Sequence, residues 1–242
     1  CSEGPRAPAT RVDIGVYTGR GAWDASVTAV QAAAGQFGYS VEGFDEGELF
    51  DGGLDRYLVV VIPGGDPREF SNNFGTIGRS RIKRFVEYGG GLVCLGGGAA
   101  AVDSDSGMYP GVGIFPGDAR WPVDRIAPYP EYTLTDISRV DPRHLVSRDA
   151  RDRYWTLYRW GPEFVSIDPN AVDVLYVYEL TTTPAVVAFN YGAGRVFLSG
   201  CQMEIEEGDL RDGTDFADEL EDPDSEWDLL ERAFNFCLEP WD

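Results

Sequence analysis

Lysine is nearly missing from this chain. Lys83 is the only one, and arginine supplies every other basic residue. Histidine is equally scarce, with His144 alone. A single imidazole excludes a histidine-based metal cluster and any catalytic pair that needs two histidines. The four cysteines, Cys1, Cys94, Cys201 and Cys237, are too widely spaced for the close pairs of a zinc site. No metal is therefore expected. No apolar run approaches the roughly 20 residues of a membrane-spanning helix. Neither a Gly-x-x-x-x-Gly-Lys phosphate loop nor a Gly-x-Gly-x-x-Gly fingerprint after the first strand is present. Gly19-Arg20-Gly21 is too short a match to carry a nucleotide, so no cofactor is expected.

What the chain has in excess is acid. Over 242 residues, 41 Asp and Glu against 20 Lys and Arg give a formal net charge of -21. Such a surface repels nucleic acid unless a local basic patch intervenes, and the sequence shows no basic run. Self-repulsion at this charge opposes folding at low ionic strength, and molar salt shortens the Debye length to about 3 Å and removes most of that cost. A salt-adapted, halophilic protein is the expectation. Hydrophobic residues make up 43% and aromatics 13%, which is the composition of a folded domain.

The first ten residues, Cys-Ser-Glu-Gly-Pro-Arg-Ala-Pro-Ala-Thr, read as a flexible tether. An N-terminal cysteine before such a tether is the pattern of a mature lipoprotein. Lipidation of Cys1 is expected, which places the domain outside the cytoplasm, anchored to a membrane without a transmembrane span. The alternative is a fragment boundary and a cytoplasmic protein. Residues 11–240 read as one domain.

Strand and helix alternate through the first hundred residues. Strands are expected at Val12–Tyr17, Val41–Phe44, Leu58–Ile62 and Leu92–Leu95, the last two buried on both faces. Helices are expected at Trp23–Phe37 and Ile77–Tyr88, with a short turn over Asp45–Phe50 and a further helix beginning at Ala99–Ala101. This order points to a parallel α/β sheet. The second half is strand-rich: Tyr132–Ile137, Tyr154–Leu157, Val172–Tyr178, Ala185–Asn190 and Arg195–Ser199. Tyr191-Gly192-Ala193-Gly194 joins the last two as a hairpin. Residues 204–224 read as a solvated acidic loop. A closing helix is expected over Trp227–Leu238, capped by Asp224 or Ser225.

Four stretches in order carry a resemblance. They are VVVIPGGDPREF (Val59–Phe70), RIKRFVEYGGGLVCLGGGAAA (Arg81–Ala101), RWGPEF (Arg159–Phe164) and AVVAFNYGAGRVFLSGCQMEIE (Ala185–Glu206). Together they resemble the class I glutamine amidotransferase-like superfamily. Within it the chain is most similar to the family resembling the N-terminal domain of biotin-protein ligase. The resemblance implies a flavodoxin-like open, mostly parallel sheet with helices on both faces and extra strands in the second half. Active members of that superfamily resemble Cys-His-Glu hydrolases. Their nucleophile sits on a strained Gly-x-Cys-x-Gly elbow between strand and helix, with backbone amides forming an oxyanion hole.

On a gap-free match the nucleophile position is Gly96, within Cys94-Leu95-Gly96-Gly97-Gly98. The late motif, usually Ser-Gly-x-His-Pro-Glu, reads Ser199-Gly200-Cys201-Gln202-Met203-Glu204. Gln202 stands at the histidine position, and only Glu204 remains of the triad. A two-residue slip would make Cys94 the nucleophile. That slip puts bulky Leu92 where the elbow needs glycine and finds no histidine, since His144 lies in a polar stretch read as an exposed loop. Thiol catalysis is not expected.

A pocket is still expected beyond the carboxyl ends of the strands. Gly64, Gly65, Asp66, Gly97, Gly98, Arg159, Trp160, Gln202 and Glu204 are its candidate ligand-binding residues, with Glu163 beside them. The leading expectation is a noncatalytic domain that binds a small molecule or a protein partner. The alternatives are a hydrolase built on the carboxylates Glu204, Asp66 or Asp13, and a structural module of the cell surface.

Overall fold

The computed structural model describes residues 11–103, 108–222 and 225–239. Cys1 and Asp224 lie outside them. The sequence of elements is β1 (Val12–Tyr17), α1 (Asp24–Gln36), β2 (Val41–Phe44), α2 (Glu46–Asp51), β3 (Tyr57–Ile62), α3 (Pro67–Glu87), β4 (Gly91–Leu95) and the single turn α4 (Gly97–Ala100). There follow β5 (Asp118–Arg120), β6 (Thr133–Arg139), β7 (Arg153–Tyr158), β8 (Glu163–Val165), β9 (Asp173–Tyr178), β10 (Pro184–Tyr191), β11 (Gly194–Ser199) and α5 (Trp227–Leu238).

Nine strands form one sheet in the order β2-β1-β3-β4-β11-β10-β9-β6-β7. The pairs from β2 through β11 are parallel. Those from β11 to β7 are antiparallel. The fold is therefore α/β and flavodoxin-like, and the expected strand positions agree with it. The hairpin forms as expected, with Tyr191 paired to Gly194 around a two-residue turn. Gly192 takes a φ of 58° there.

The apolar runs divide between two cores because successive strand residues face opposite sides. In β3, Val59 and Val61 pack with Val30, Ala33 and Ala34 of α1 and with Leu230 and Phe234 of α5. Val60 and Ile62 pack on the other face with Phe70, Phe74 and Ile82 of α3. Every residue of β4 is buried. The small residues of α1's inner face, Ser26, Ala29, Ala33 and Ala34, let that helix lie close to the sheet.

Three expectations need correction. The helix after β3 starts ten residues earlier than the apolar pattern indicates. Asp66 caps it, accepting a hydrogen bond from the Arg68 backbone N–H at 2.9 Å, and Pro67 occupies its first turn. The early turns are separated from the rest by Gly75, at φ 52° and ψ -171°, which interrupts the periodicity. The closing helix has Glu226, not Asp224 or Ser225, at its N-cap position, although Ser225 Oγ accepts from the Trp227 N–H at 3.3 Å. The acidic segment after β11 is not simply solvated: Ile205, Ala217 and several of its carboxylates are buried. The short antiparallel pair β5–β8 was not expected. Among the described residues, no helix is long and apolar enough to cross a membrane.

Candidate functional site

The carboxyl ends of β3, β4 and β11 converge, and the segments leaving them are the ones singled out in the sequence. Gly96 leaves β4 at φ 48° and ψ -126°. That is a strained conformation for any residue with a side chain, and it is the sharp strand-to-helix turn an elbow requires. The turn has the shape of the expected elbow, and Gly96 places no side chain at its tip. A Cβ built on Gly96 would overlap the carboxamide of Gln202. Gln202 therefore fills the space into which an elbow side chain would project.

Gln202 is held there from three directions. Its backbone N–H donates to Leu157 O at 2.9 Å, a contact made because the sheet curls until β7 at its far edge reaches this segment. Its Nε2 donates to Arg159 O at 2.8 Å. Gly64, after β3, approaches so closely that a Cβ on it would sit 3.1 Å from both Gln202 Nε2 and Ser26 Oγ. Gln202 is fully buried, and its Oε1 has no hydrogen-bond partner.

Glu204 is also fully buried. Ser26 Oγ donates to its Oε1 and in turn accepts from the Gly64 N–H at 2.7 Å. Trp227 Nε1 donates to Glu204 O at 2.9 Å. Burial pushes the carboxyl up to about 8, with the Ser26 hydrogen bond opposing the rise. At neutral pH the group is mainly a neutral acid, with its Oε2 unpartnered.

The remaining glycines are packed tightly. A Cβ on Gly97 would overlap Gly65 O, and one on Gly98 would overlap Pro63 O. The two loops at the mouth of the sheet are locked backbone to backbone. Asp66 has its carboxylate in a two-pronged contact with Arg68, Nε to Oδ1 at 2.9 Å and Nη2 to Oδ2 at 2.6 Å. Partial burial raises its pKa, but the Arg68 hydrogen bonds and charge outweigh that and lower it overall.

Other candidates lie elsewhere. Asp13 is at the opposite, amino end of β1, bonded to Ser40 Oγ at 2.7 Å, so it is not on this rim. Glu163 is in β8 and accepts from Thr183 Oγ1 at 2.8 Å. His144 is not an exposed loop residue; its ring packs on Phe236 at 5.0 Å and lies 4.0 Å from Asp173 at the start of β9. Burial lowers its pKa. Cys94 points into the α3-side core, and burial, followed by the neighbouring Cys237, pushes its thiol well above the usual range. Cys201 and Cys237 are also buried free thiols.

Beside the filled elbow lies an open cleft of about 160 Å³, lined by Asp66, Pro67, Arg68, Trp121, Pro122, Tyr129 and Trp160. Trp160 adopts φ 61°, a costly conformation for a bulky residue. Its ring lies 4.6 Å from that of Tyr129. Behind it the Arg159 guanidinium sits 3.9 Å from the Trp160 ring and 4.2 Å from Trp23. Burial lowers the pKa of Arg159. Sequence reading missed Trp121, Tyr129, Arg68 and Ser26. The one signal for the first two is the repeated aromatic-proline pair, Trp121-Pro122 and Tyr129-Pro130, in a Gly- and Pro-rich loop.

The absence of a basic run in sequence does not carry over to the surface. A larger cavity of about 600 Å³ gathers Arg11, Arg81 and Arg84 with Asp55. It lies at the amino ends of β3 and β4, away from the end where open α/β sheets bind ligands.

No protein-family model matches the sequence, and no curated protein matches it. Solved structures do. PurLQS from Thermotoga maritima aligns with a TM-score of 0.63 at 14% identity, covering 93% of this chain and 99% of that one. A putative ThuA-like protein from Bacteroides uniformis aligns with a TM-score of 0.60 at 15% identity, covering 98% and 95%. A putative GMP synthase protein from Thermoplasma acidophilum gives 0.59 at 10% identity, covering 94% of each. At these identities the likeness is one of fold. This chain has the amidotransferase-like, flavodoxin-like α/β fold.

Proposed function

We propose that this chain is a noncatalytic amidotransferase-like domain that binds a small ligand in the aromatic cleft beside the elbow. The observation that carries the reading is the Gln202 side chain seated over Gly96. An acyl-transfer site needs an attacking atom on the elbow, a base within about 3 Å and aimed oxyanion donors. Here the elbow carries no atom, a carboxamide that cannot act as base fills its space, and Cys94 lies back in the strand. The carboxylate-hydrolase alternative is weakened by the burial of Glu204 and the pairing of Asp66 with Arg68. The finer likeness to the biotin-protein ligase N-terminal-like family rests on the four sequence stretches.

The cleft favours a ligand with one flat apolar face and a polar edge. Trp160, Tyr129 and Trp121 offer aromatic faces, and Asp66 with Arg68 offers charge at one side. Monosaccharides and nucleosides both have that shape. Tryptophan fluorescence titrated with each class, together with ammonia release from glutamine, tests the reading. Saturable quenching by one class, lost in Trp160→Ala without loss of folding, is the expected result, with no ammonia released. Glutamine hydrolysis that Cys94→Ala abolishes would overturn the noncatalytic assignment. Absence of a saturable response to either class would overturn the cleft.

A further inference from the structure

The acidic segment after β11 and the N-cap of α5 bury five acidic side chains, and among the described residues the one ion pair any of them is shown to make is that of Glu206 with Arg211. Exposure is 0% for Glu204 and Asp212, 1% for Glu226, 4% for Glu206 and 8% for Glu207. A buried carboxylate is strongly disfavoured unless it is hydrogen-bonded, paired or bound to a metal. Most of these have protein partners. Glu204 takes the Ser26 hydroxyl. Glu206 takes Arg211 and the Ser225 hydroxyl. Asp212 accepts from the backbone N–H of Glu206 at 3.1 Å and of Thr214 at 3.0 Å.

Glu207 differs. Its Oε1 is buried with no hydrogen-bond partner. Among the described residues no arginine, lysine or histidine forms an ion pair with it; Arg211, the nearby cation, goes to Glu206 and Asp209. Instead its carboxylate faces two more: one ligand oxygen each from Glu207, Asp222 and Glu226 lie within 4.8 Å of one another. Three carboxylates at that spacing, one of them buried with an unpartnered oxygen, repel one another when ionised. The chain brings them together from two separate segments, the loop after β11 and the start of α5.

We propose that Glu207, Asp222 and Glu226 form a calcium-type divalent cation site. The donors are all carboxylate oxygens, which suit a hard cation and not zinc or copper. Three oxygens that all lie within 4.8 Å of one another are of the size that gathers around one Ca²⁺ at about 2.3–2.6 Å, with at most a few tenths of an ångström of closure. Mg²⁺ binds at about 2.0–2.1 Å, demands a strict octahedron and gives up its waters reluctantly, so three crowded carboxylates suit it less. Asp222 is only half-buried, which leaves a side for water to complete the shell. The role is structural. Glu226 is the N-cap position of α5, and α5 lies against β4 and β11. The ion would pin the acidic loop to the root of that helix, beside the Ser225–Glu206 and Trp227–Glu204 contacts.

The test is calorimetric and thermal titration of the full chain, first stripped with EDTA and held at constant ionic strength in potassium chloride. CaCl₂ is expected to bind one ion per chain and to raise the melting temperature saturably. MgCl₂ is expected to bind at least tenfold more weakly. Glu207→Gln and Asp222→Asn should each weaken Ca²⁺ binding at least tenfold. Both variants should fold without the ion as well as the parent does, since each removes a repelling charge. An exposed-acid control, Asp149→Asn, should bind like the parent. No calcium heat and no melting shift at matched ionic strength would overturn the site, as would a shift that persists undiminished in Glu207→Gln. Magnesium binding as tight as calcium would overturn the calcium assignment.

Discussion

Placing a methyl group on Gly96 separates two costs that act on the same atom. The first is backbone strain. At φ 48° and ψ -126° a non-glycine residue costs about 1–3 kcal/mol. The second is overlap with the Gln202 carboxamide, and overpacking of this kind costs about 1–3 kcal/mol. Gly96→Ala should therefore lose about 2–6 kcal/mol. Gln202→Ala removes the hydrogen bond to Arg159 O, worth about 1 kcal/mol, and leaves a small void. In the double variant the strain remains but the overlap is gone. Its loss should fall short of the sum of the single losses by about 1–3 kcal/mol. Urea unfolding followed by tryptophan fluorescence supplies all four corners of the cycle, provided the m-values agree. Additivity within about 0.5 kcal/mol would refute the idea that Gln202 occupies the elbow's side-chain space.

Two further outcomes follow from burial. Iodoacetamide at pH 7 should leave Cys94, Cys201 and Cys237 unlabelled in the folded protein and modify all three in urea, read by peptide mapping; labelling of folded Cys94 at the rate of a free thiol would contradict its place in the core. The acids Glu204 and Asp212, raised by burial from 4.5 to about 8 and from 3.8 to about 6, bind more protons in the native than in the unfolded state. Their contribution is fully present below about pH 4 and is lost as pH rises toward 8. With EDTA present, the urea midpoint should be higher at pH 5 than at pH 8.5, and Glu204→Gln should remove much of that slope. A profile unchanged by Glu204→Gln would contradict the neutral-acid assignment.

The strands of the parallel half were legible because buried strands must be continuously apolar. β3 and β4 have no polar alternative to offer. The first turns of α3 were not, because Pro-Arg-Glu-Phe after Pro-Gly-Gly-Asp reads as loop until Asp66 is seen as a cap and Gly75 as an interruption. The sharp turn after β4 was legible from the glycine run Gly96-Gly97-Gly98, since only glycine takes such a backbone conformation without strain. The contact of Gly96 with Gln202 was not legible, because it depends on β7 curling across the sheet to hold Gln202. The acidic segment misled for a related reason. Composition averages over a stretch, whereas burial is decided residue by residue by what arrives from elsewhere. Here that is Ser26 from α1, Trp227 from α5, and the Trp23–Phe216 ring pair.

The position of β4 also sets a timetable for the newly made chain. β4 is complete at Leu95, yet its partner on one side, β11, ends at Ser199, and α5, which reaches Gly91 through Cys237, is made later still. At roughly 5–20 residues per second, β4 waits about 5–20 s on the ribosome for β11. Through that interval a strand that is interior in the finished sheet is an edge, apolar along its whole length and open to pairing with any neighbour. The parallel half can form its crossovers as it emerges, but it cannot close. This sheet is therefore completed only once β11 and α5 have been made, and its exposure to misassociation is greatest before then.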